Sequence, residues 1–162
     1  EEATLATVKS WVANFARVPQ GGDTDQIKAV SLGVGDVTVS NTYYYGKLLD
    51  SANPEEVKLA QSVGLAFPEQ SGRGTHINVS GAGVTASSKN TREALALLEF
   101  LSGDEAQKAF ALANYEYPVK AGVDISPVLK TWGNFKEDNL NLAALGTHNA
   151  TAVRLMNQAG WK

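Results

Sequence analysis

Three consecutive tyrosines, Tyr43, Tyr44 and Tyr45, are the residues of this chain whose type and spacing best suit metal chemistry. A free phenol has a pKa of about 10 and is a poor ligand at neutral pH, but a highly charged, hard cation can displace its proton and hold the phenolate. Ferric iron suits anionic oxygen, whereas zinc and copper(I) favour imidazole and thiolate. The chain has two His and no Cys. The residue chemistry therefore indicates a hard metal ion; it fits ferric iron but does not by itself specify it.

The position of the tyrosines in the predicted fold supports a ligand role. Residues 37–40 read as a short strand, and Asn41 or Thr42 can cap a helix that follows. In an open α/β sheet, ligands bind beyond the carboxyl ends of strands. Adjacent tyrosines can converge in such a strand-to-helix turn, but not within a strand, where successive side chains face opposite ways. A packing role as half-buried strand residues remains the alternative.

The rest of the chain is predicted to be mostly helical. Apolar residues at spacings of three and four indicate helices over residues 4–15, 23–32, 54–63, 91–101, 105–113 and 148–160, with a short one after Ser126. Asp23 or Thr24 is expected to cap the second helix. A second strand is expected over residues 76–80. Asp50 is expected to be a solvated turn residue. Few strands and many helices indicate the α/β class.

Composition excludes several classes of function. The chain has 162 residues, of which 43% are apolar and 19% charged, with a formal net charge of −3. This balance gives no reason to expect nucleic acid or an anionic membrane surface. The absence of Cys excludes disulfides, thiolate metal sites and cysteine nucleophiles. The sequence begins without Met, so we expect it to be processed or cut from something longer, with any export signal removed.

Several motifs resemble one family. The stretch from Asn41 to Tyr44 resembles the N-x-Y-Y motif of the periplasmic ferric-iron-binding proteins that serve ABC transporters. Further segments resemble that family in the same order, namely PQGGDTDQIKAV, INVSGAGVTASSKN, EALALLEFLSGDEAQKAFA and NYEYPV. The closing NATAVRLMNQAGWK is similar to cyanobacterial members. The resemblance covers nearly the whole chain.

The resemblance implies a fold and a division of the chain. The family has the type II periplasmic binding protein fold, in which two α/β lobes surround a cleft. Such proteins are about twice this length, and this chain resembles their carboxyl-terminal half. Residues 1–73 and 119–162 would then belong to the carboxyl lobe, and residues 74–118 to an incomplete amino lobe. An apolar face on residues 77–84 and on the 92–113 helices would be left uncovered.

The resemblance also implies roles for individual residues. Tyr43 and Tyr44 match the two iron-ligating tyrosines of the family, and Asn41 matches a position near the bound anion in some members. Tyr45 is expected to pack or to support the ligands from behind. Lys47 stands where cyanobacterial-type members often have Arg; it can balance phenolate charge but lacks the bidentate guanidinium.

One departure concerns the co-ligand. Gly22 precedes Asp23, where members that use a synergistic phosphate tend to have Asn, which argues against phosphate. Further ligands are expected from the half of the protein that this chain does not match.

The implied function is the binding component of an ABC import system, not an enzyme. It would capture Fe³⁺ in the periplasm, with the missing amino-terminal half and a membrane permease as partners and no nucleic acid. Contact with the membrane would occur only through the permease. The alternative ligand is an organic or oxyanion solute held by the tyrosines. An enzyme using Tyr44 as acid or nucleophile would need a base or orienting partner, which the motif lacks.

Overall fold

The computed structural model describes residues 1–161, and the regular structure in this part of the chain is helical. In chain order the helices are α1 (Glu2–Ala13), α2 (Asp23–Ser31), α3 (Thr42–Leu49), α4 (Pro54–Gln61), α5 (Thr91–Leu101), α6 (Asp104–Ala113), α7 (Pro127–Thr131) and α8 (Ala143–Ala159). Over residues 1–161, none of them has both the length and the apolar character that a membrane crossing requires.

Helix ends follow the capping residues, with one correction. Ser126 precedes α7, and its hydroxyl accepts a hydrogen bond of 3.2 Å from the Leu129 N–H. The predicted caps of α2 are wrong, because Asp23 is already helical and Gly22 is the N-cap. The Gly22 N–H donates to the Asp25 carboxylate at 2.8 Å. Because Asp25 makes this contact, the Asp23 side chain is available for another one.

The two predicted strands form no ladder within the part of the chain that is described. Residues 37–40 and 76–80 are neither helical nor paired, and the isolated bridge nearby joins Thr75 to Glu137 in parallel. Val37 and Val39 are 85% and 95% exposed. A strand is stabilised by hydrogen bonds to a neighbouring strand. These segments have the sequence pattern of strands, but residues 1–161 provide no partner for them.

Two apolar clusters pack against α3. The first is built on Ile27, Leu48 and Ala60, where α2, α3 and α4 meet. The second is built on Ala111, Tyr115 and Leu129, which come from the end of α6, the segment after it, and α7. Because α3 contacts α2, α4 and α7, it is the central element of this part of the fold.

The remaining helices pack in pairs. α1 and α8 lie against each other, with the Trp161 ring edge-on to Phe15 at 5.1 Å between centroids. α5 packs on α6 and buries none of its own residues. Leu95, Leu97 and Phe100 are each at least half exposed. This confirms the prediction that an apolar face on these helices is left uncovered.

Candidate metal centre

Tyr43 and Tyr44 lie side by side in the first turn of α3. Their ring centroids are 4.5 Å apart and their planes are inclined by 42°. Asn41 is the N-cap of this helix, with extended backbone, so the chain turns into the helix immediately before the pair. The two phenols are thus brought together as the sequence predicted for a turn entering a helix.

The two rings rest on different parts of the core. Tyr43 packs against the cluster of Ala111, Tyr115 and Leu129. Tyr44 packs against the cluster on the other side of α3. Side chains that are partly buried in this way lose rotamer freedom on folding rather than on binding. The pair is therefore held in place before any ligand arrives.

Lys47 provides a positive charge next to both phenols. Its ammonium nitrogen lies 5.4 Å from the Tyr43 ring centroid and 5.9 Å from the Tyr44 centroid. Lys47 is one turn after the pair on the same face of α3, as expected for residues three and four apart. These distances place the ammonium group over the faces of both rings, within the range of a cation–π contact.

The surroundings of Tyr43 favour the protonated phenol in the absence of a metal ion. Burial raises the pKa of Tyr43, and the neighbouring Tyr44 hydroxyl raises it further, followed by the carboxylates of Asp23 and Glu116. The positive end of the α3 dipole favours negative charge in the first turn. A metal ion that binds the Tyr43 oxygen must displace its proton, which suits a highly charged cation better than a weakly charged one.

Asp23 anchors the turn that precedes the pair. Its Oδ1 atom accepts hydrogen bonds from the Asn41 N–H at 2.7 Å, the Ser40 hydroxyl at 3.0 Å and the Asn41 amide at 3.4 Å. The Asn41 amide oxygen accepts from Asn78 at 3.1 Å. The sequence did not predict this role for Asp23, because the contact spans 18 residues. The Asn41 amide thus donates to Asp23 and accepts from Asn78, so both of its ends are already hydrogen-bonded. An anion-binding role for Asn41 stays a prediction.

Tyr45 belongs to the core rather than to the exposed face of the pair. Its hydroxyl donates to the Val63 carbonyl at 2.9 Å, and its ring stacks on Trp132 at 5.9 Å. Burial raises the pKa of Tyr45. The arrangement suits a packing role.

Tyr115 and Asp50 form a contact that sequence reasoning missed. The Tyr115 hydroxyl donates a hydrogen bond to the Asp50 carboxylate. Asp50 is exposed, as predicted, but it is not a lone carboxylate. The contact could not be predicted, because 65 residues separate the two partners in sequence. This hydrogen bond, together with burial, raises the pKa of Tyr115 to about 12. Because its hydroxyl is engaged by Asp50 at the C-terminal end of α3, Tyr115 is a poor candidate for a metal ligand.

Tyr43 and Tyr44 are half-buried, and the described residues around them form no further metal-binding cluster. Over residues 1–161, no three His, Cys, Asp or Glu side chains are grouped so that they could hold a metal ion. His76 and His148 are exposed. A cavity of about 130 Å³ beside α3 is lined by Asn41 and Tyr45 but not by the pair. The described residues thus present two phenol oxygens and a nearby ammonium group, which is half of a coordination shell at most.

Comparison with known proteins gives consistent results. The sequence profile of the bacterial extracellular solute-binding proteins matches residues 2–137. Iron uptake protein A1 of Synechocystis is 51% identical over 162 residues, which are 100% of this chain and 45% of that protein. The Fe(3+)-binding periplasmic protein of Serratia marcescens is 30% identical over 161 residues, covering 99% of this chain and 45% of that protein.

A solved structure is similar over the same span. The Trichodesmium protein IdiA (FutA), in complex with iron and citrate ligands, superposes with a TM-score of 0.95 and 48% sequence identity. The match covers 99% of this chain and 51% of the Trichodesmium chain. The chain spans about half the length of the curated relatives it matches. Proteins of this kind bind solutes and are not enzymes. With its profile match over 136 of 162 residues, from 2 to 137, this chain belongs to the bacterial extracellular solute-binding proteins.

Proposed function

We propose that this chain supplies the tyrosine half of a ferric-iron site in a periplasmic binding protein that delivers Fe³⁺ to an ABC permease. The observation that carries the proposal is the convergence of the Tyr43 and Tyr44 rings, 4.5 Å apart, beside the Lys47 ammonium group. The names of the relatives support it, because they are an iron uptake protein and a periplasmic Fe(3+)-binding protein.

The chemistry of capture follows from these side chains. Fe³⁺ would displace the phenol protons and bind the two oxygens as phenolates. Lys47 would offset part of the negative charge that remains on the pair, and Asn41 would hold the entry to α3 through its bonds to Asp23 and Asn78. Tyr45 would support the pair through the core.

A partner completes the site in this proposal. The chain would combine with a portion corresponding to the other half of its relatives, and the exposed apolar face of α5 supports this. Residues 1–73 and 119–162 would form one lobe, and residues 74–118 would belong to the other. Further ligands from that other lobe would close the coordination shell across the cleft.

A visible absorption band tests the proposal. Ferric loading of the intact protein should produce a phenolate-to-iron charge-transfer band, and the Tyr43→Phe/Tyr44→Phe double variant should lose it. Tyr117→Phe is the matched control, because the Tyr117 hydroxyl is buried and has no hydrogen-bond partner among the described residues. A colourless intact protein after ferric loading would overturn the iron assignment and favour an organic or oxyanion solute.

A further inference from the structure

We propose that Tyr115 is a positioning residue for the tyrosine pair, through which the segment between α6 and α7 controls where α3 presents Tyr43. The inference rests on the proposed function and extends it to a residue outside the ligand motif. Tyr115 is 9% exposed and belongs to the same cluster against which the Tyr43 ring packs. It therefore belongs to the part of the core against which Tyr43 rests.

The Tyr115 side chain runs along the second half of α3. A methyl group added at Gly46 would lie 2.7 Å from the Tyr115 Cγ atom, so the ring occupies the space that a larger residue would need. The Tyr115 hydroxyl reaches Asp50, which is the C-cap of α3. Gly46 lies three residues after Tyr43 on the same helix face. The ring and its hydroxyl thus fix the face of α3 that carries Tyr43.

The backbone at Tyr115 is held in a sparsely populated conformation. Its φ of 57° is in the left-handed region, which is uncommon for a bulky residue. Such a conformation persists only when the surroundings impose it, and here the contacts with Gly46 and Asp50 do so. Relaxation of this backbone would withdraw the ring from α3.

Two anchors therefore determine the position of α3. Asp23 holds its N-terminal end through Asn41, and Tyr115 holds its C-terminal end through Asp50. The second anchor, Tyr115, lies near the end of residues 74–118, which the proposed function assigns to the other lobe. A change in the backbone of this segment would move α3 and, with it, the Tyr43 oxygen.

The test compares two Tyr→Phe variants of the intact protein. Tyr115→Phe keeps the ring and removes the hydrogen bond to Asp50, whereas Tyr117→Phe removes a hydroxyl without a partner in residues 1–161. In competition with citrate for ferric iron, we expect Tyr115→Phe to bind about tenfold more weakly than wild type. The charge-transfer band should also shift in that variant. Tyr117→Phe should match the wild-type protein in both measurements.

A second measurement separates this inference from the proposed function. In the metal-free intact protein, backbone amides of α3 should exchange with deuterium faster in Tyr115→Phe than in Tyr117→Phe. Wild-type affinity and an unshifted band in Tyr115→Phe would overturn the positioning role, even with faster exchange. If the wild-type protein shows no band, the proposed function fails. Equal exchange in the two variants would overturn the positioning role, whether or not the band is present.

Discussion

Asp23, the first residue of α2, accepts a 2.7 Å hydrogen bond from the backbone N–H of Asn41, the residue that caps α3. Its carboxylate also accepts from the Ser40 hydroxyl. One side chain thus satisfies donors at the point where the chain turns into the helix that carries Tyr43 and Tyr44. The N-terminus of α3 is held from outside, because the Asn41 side chain makes no capping bond of its own.

Replacement of Asp23 should therefore loosen the turn. In Asp23→Ala, the partly buried donors lose their acceptor, and we expect a loss of about 1–3 kcal/mol in the free energy of unfolding, measured with urea on the intact protein. Ferric iron should also bind more weakly. Asp36→Ala, at an exposed turn carboxylate, should change stability by no more than about 0.5 kcal/mol. Equal losses in the two variants would show that Asp23 does not anchor this turn.

The affinity for ferric iron should depend on pH and on the charge of Lys47. In the proposed site, binding requires the phenols to lose their protons, and the raised pKa of Tyr43 strengthens the competition from protons. Affinity should therefore fall as pH falls. Lys47→Gln removes the ammonium group that lies 5.4 Å from the Tyr43 ring and should weaken iron binding about three- to tenfold near neutral pH.

Two further variants control for this effect. Lys47→Arg retains the charge and should lose less affinity than Lys47→Gln. Lys58→Gln changes the net charge by the same amount at an exposed position on α4 and should bind iron as the wild-type protein does. Affinity can be followed by citrate competition at several pH values. A loss of the same size in Lys58→Gln would attribute the effect to net charge instead.

The sequence predicted most local structure and the adjacency of the two phenols, because these depend on short-range patterns. The turn at Asn41 places Tyr43 and Tyr44 side by side within α3, and no distant residue is needed to predict this. The two predicted strands, in contrast, are not formed within residues 1–161. Residues 37–40 have the alternation of a strand, yet strand formation depends on a neighbour that residues 1–161 do not contain.

The supporting contacts of the candidate site could not be predicted, since they join residues far apart in sequence. Asp23 reaches Asn41 across 18 residues, and Tyr115 reaches Asp50 across 65. A single carboxylate near the start of a helix gives no sign of which distant donor it will meet. The left-handed backbone of Tyr115 is likewise a product of tertiary packing, because its residue type disfavours that conformation.

Glycine-to-alanine substitutions in two helices should have opposite effects on stability. In a helix interior, Ala is favoured over Gly by about 1 kcal/mol. Gly146 in α8 has no atom within 4 Å of an added methyl group, so Gly146→Ala should stabilise the intact protein by about 0.5–1 kcal/mol. At Gly46 in α3, the methyl group would lie 2.7 Å from the Tyr115 ring. Gly46→Ala should therefore destabilise it by about 1–3 kcal/mol in urea unfolding. Stabilisation by both substitutions would mean that Tyr115 does not pack closely on α3.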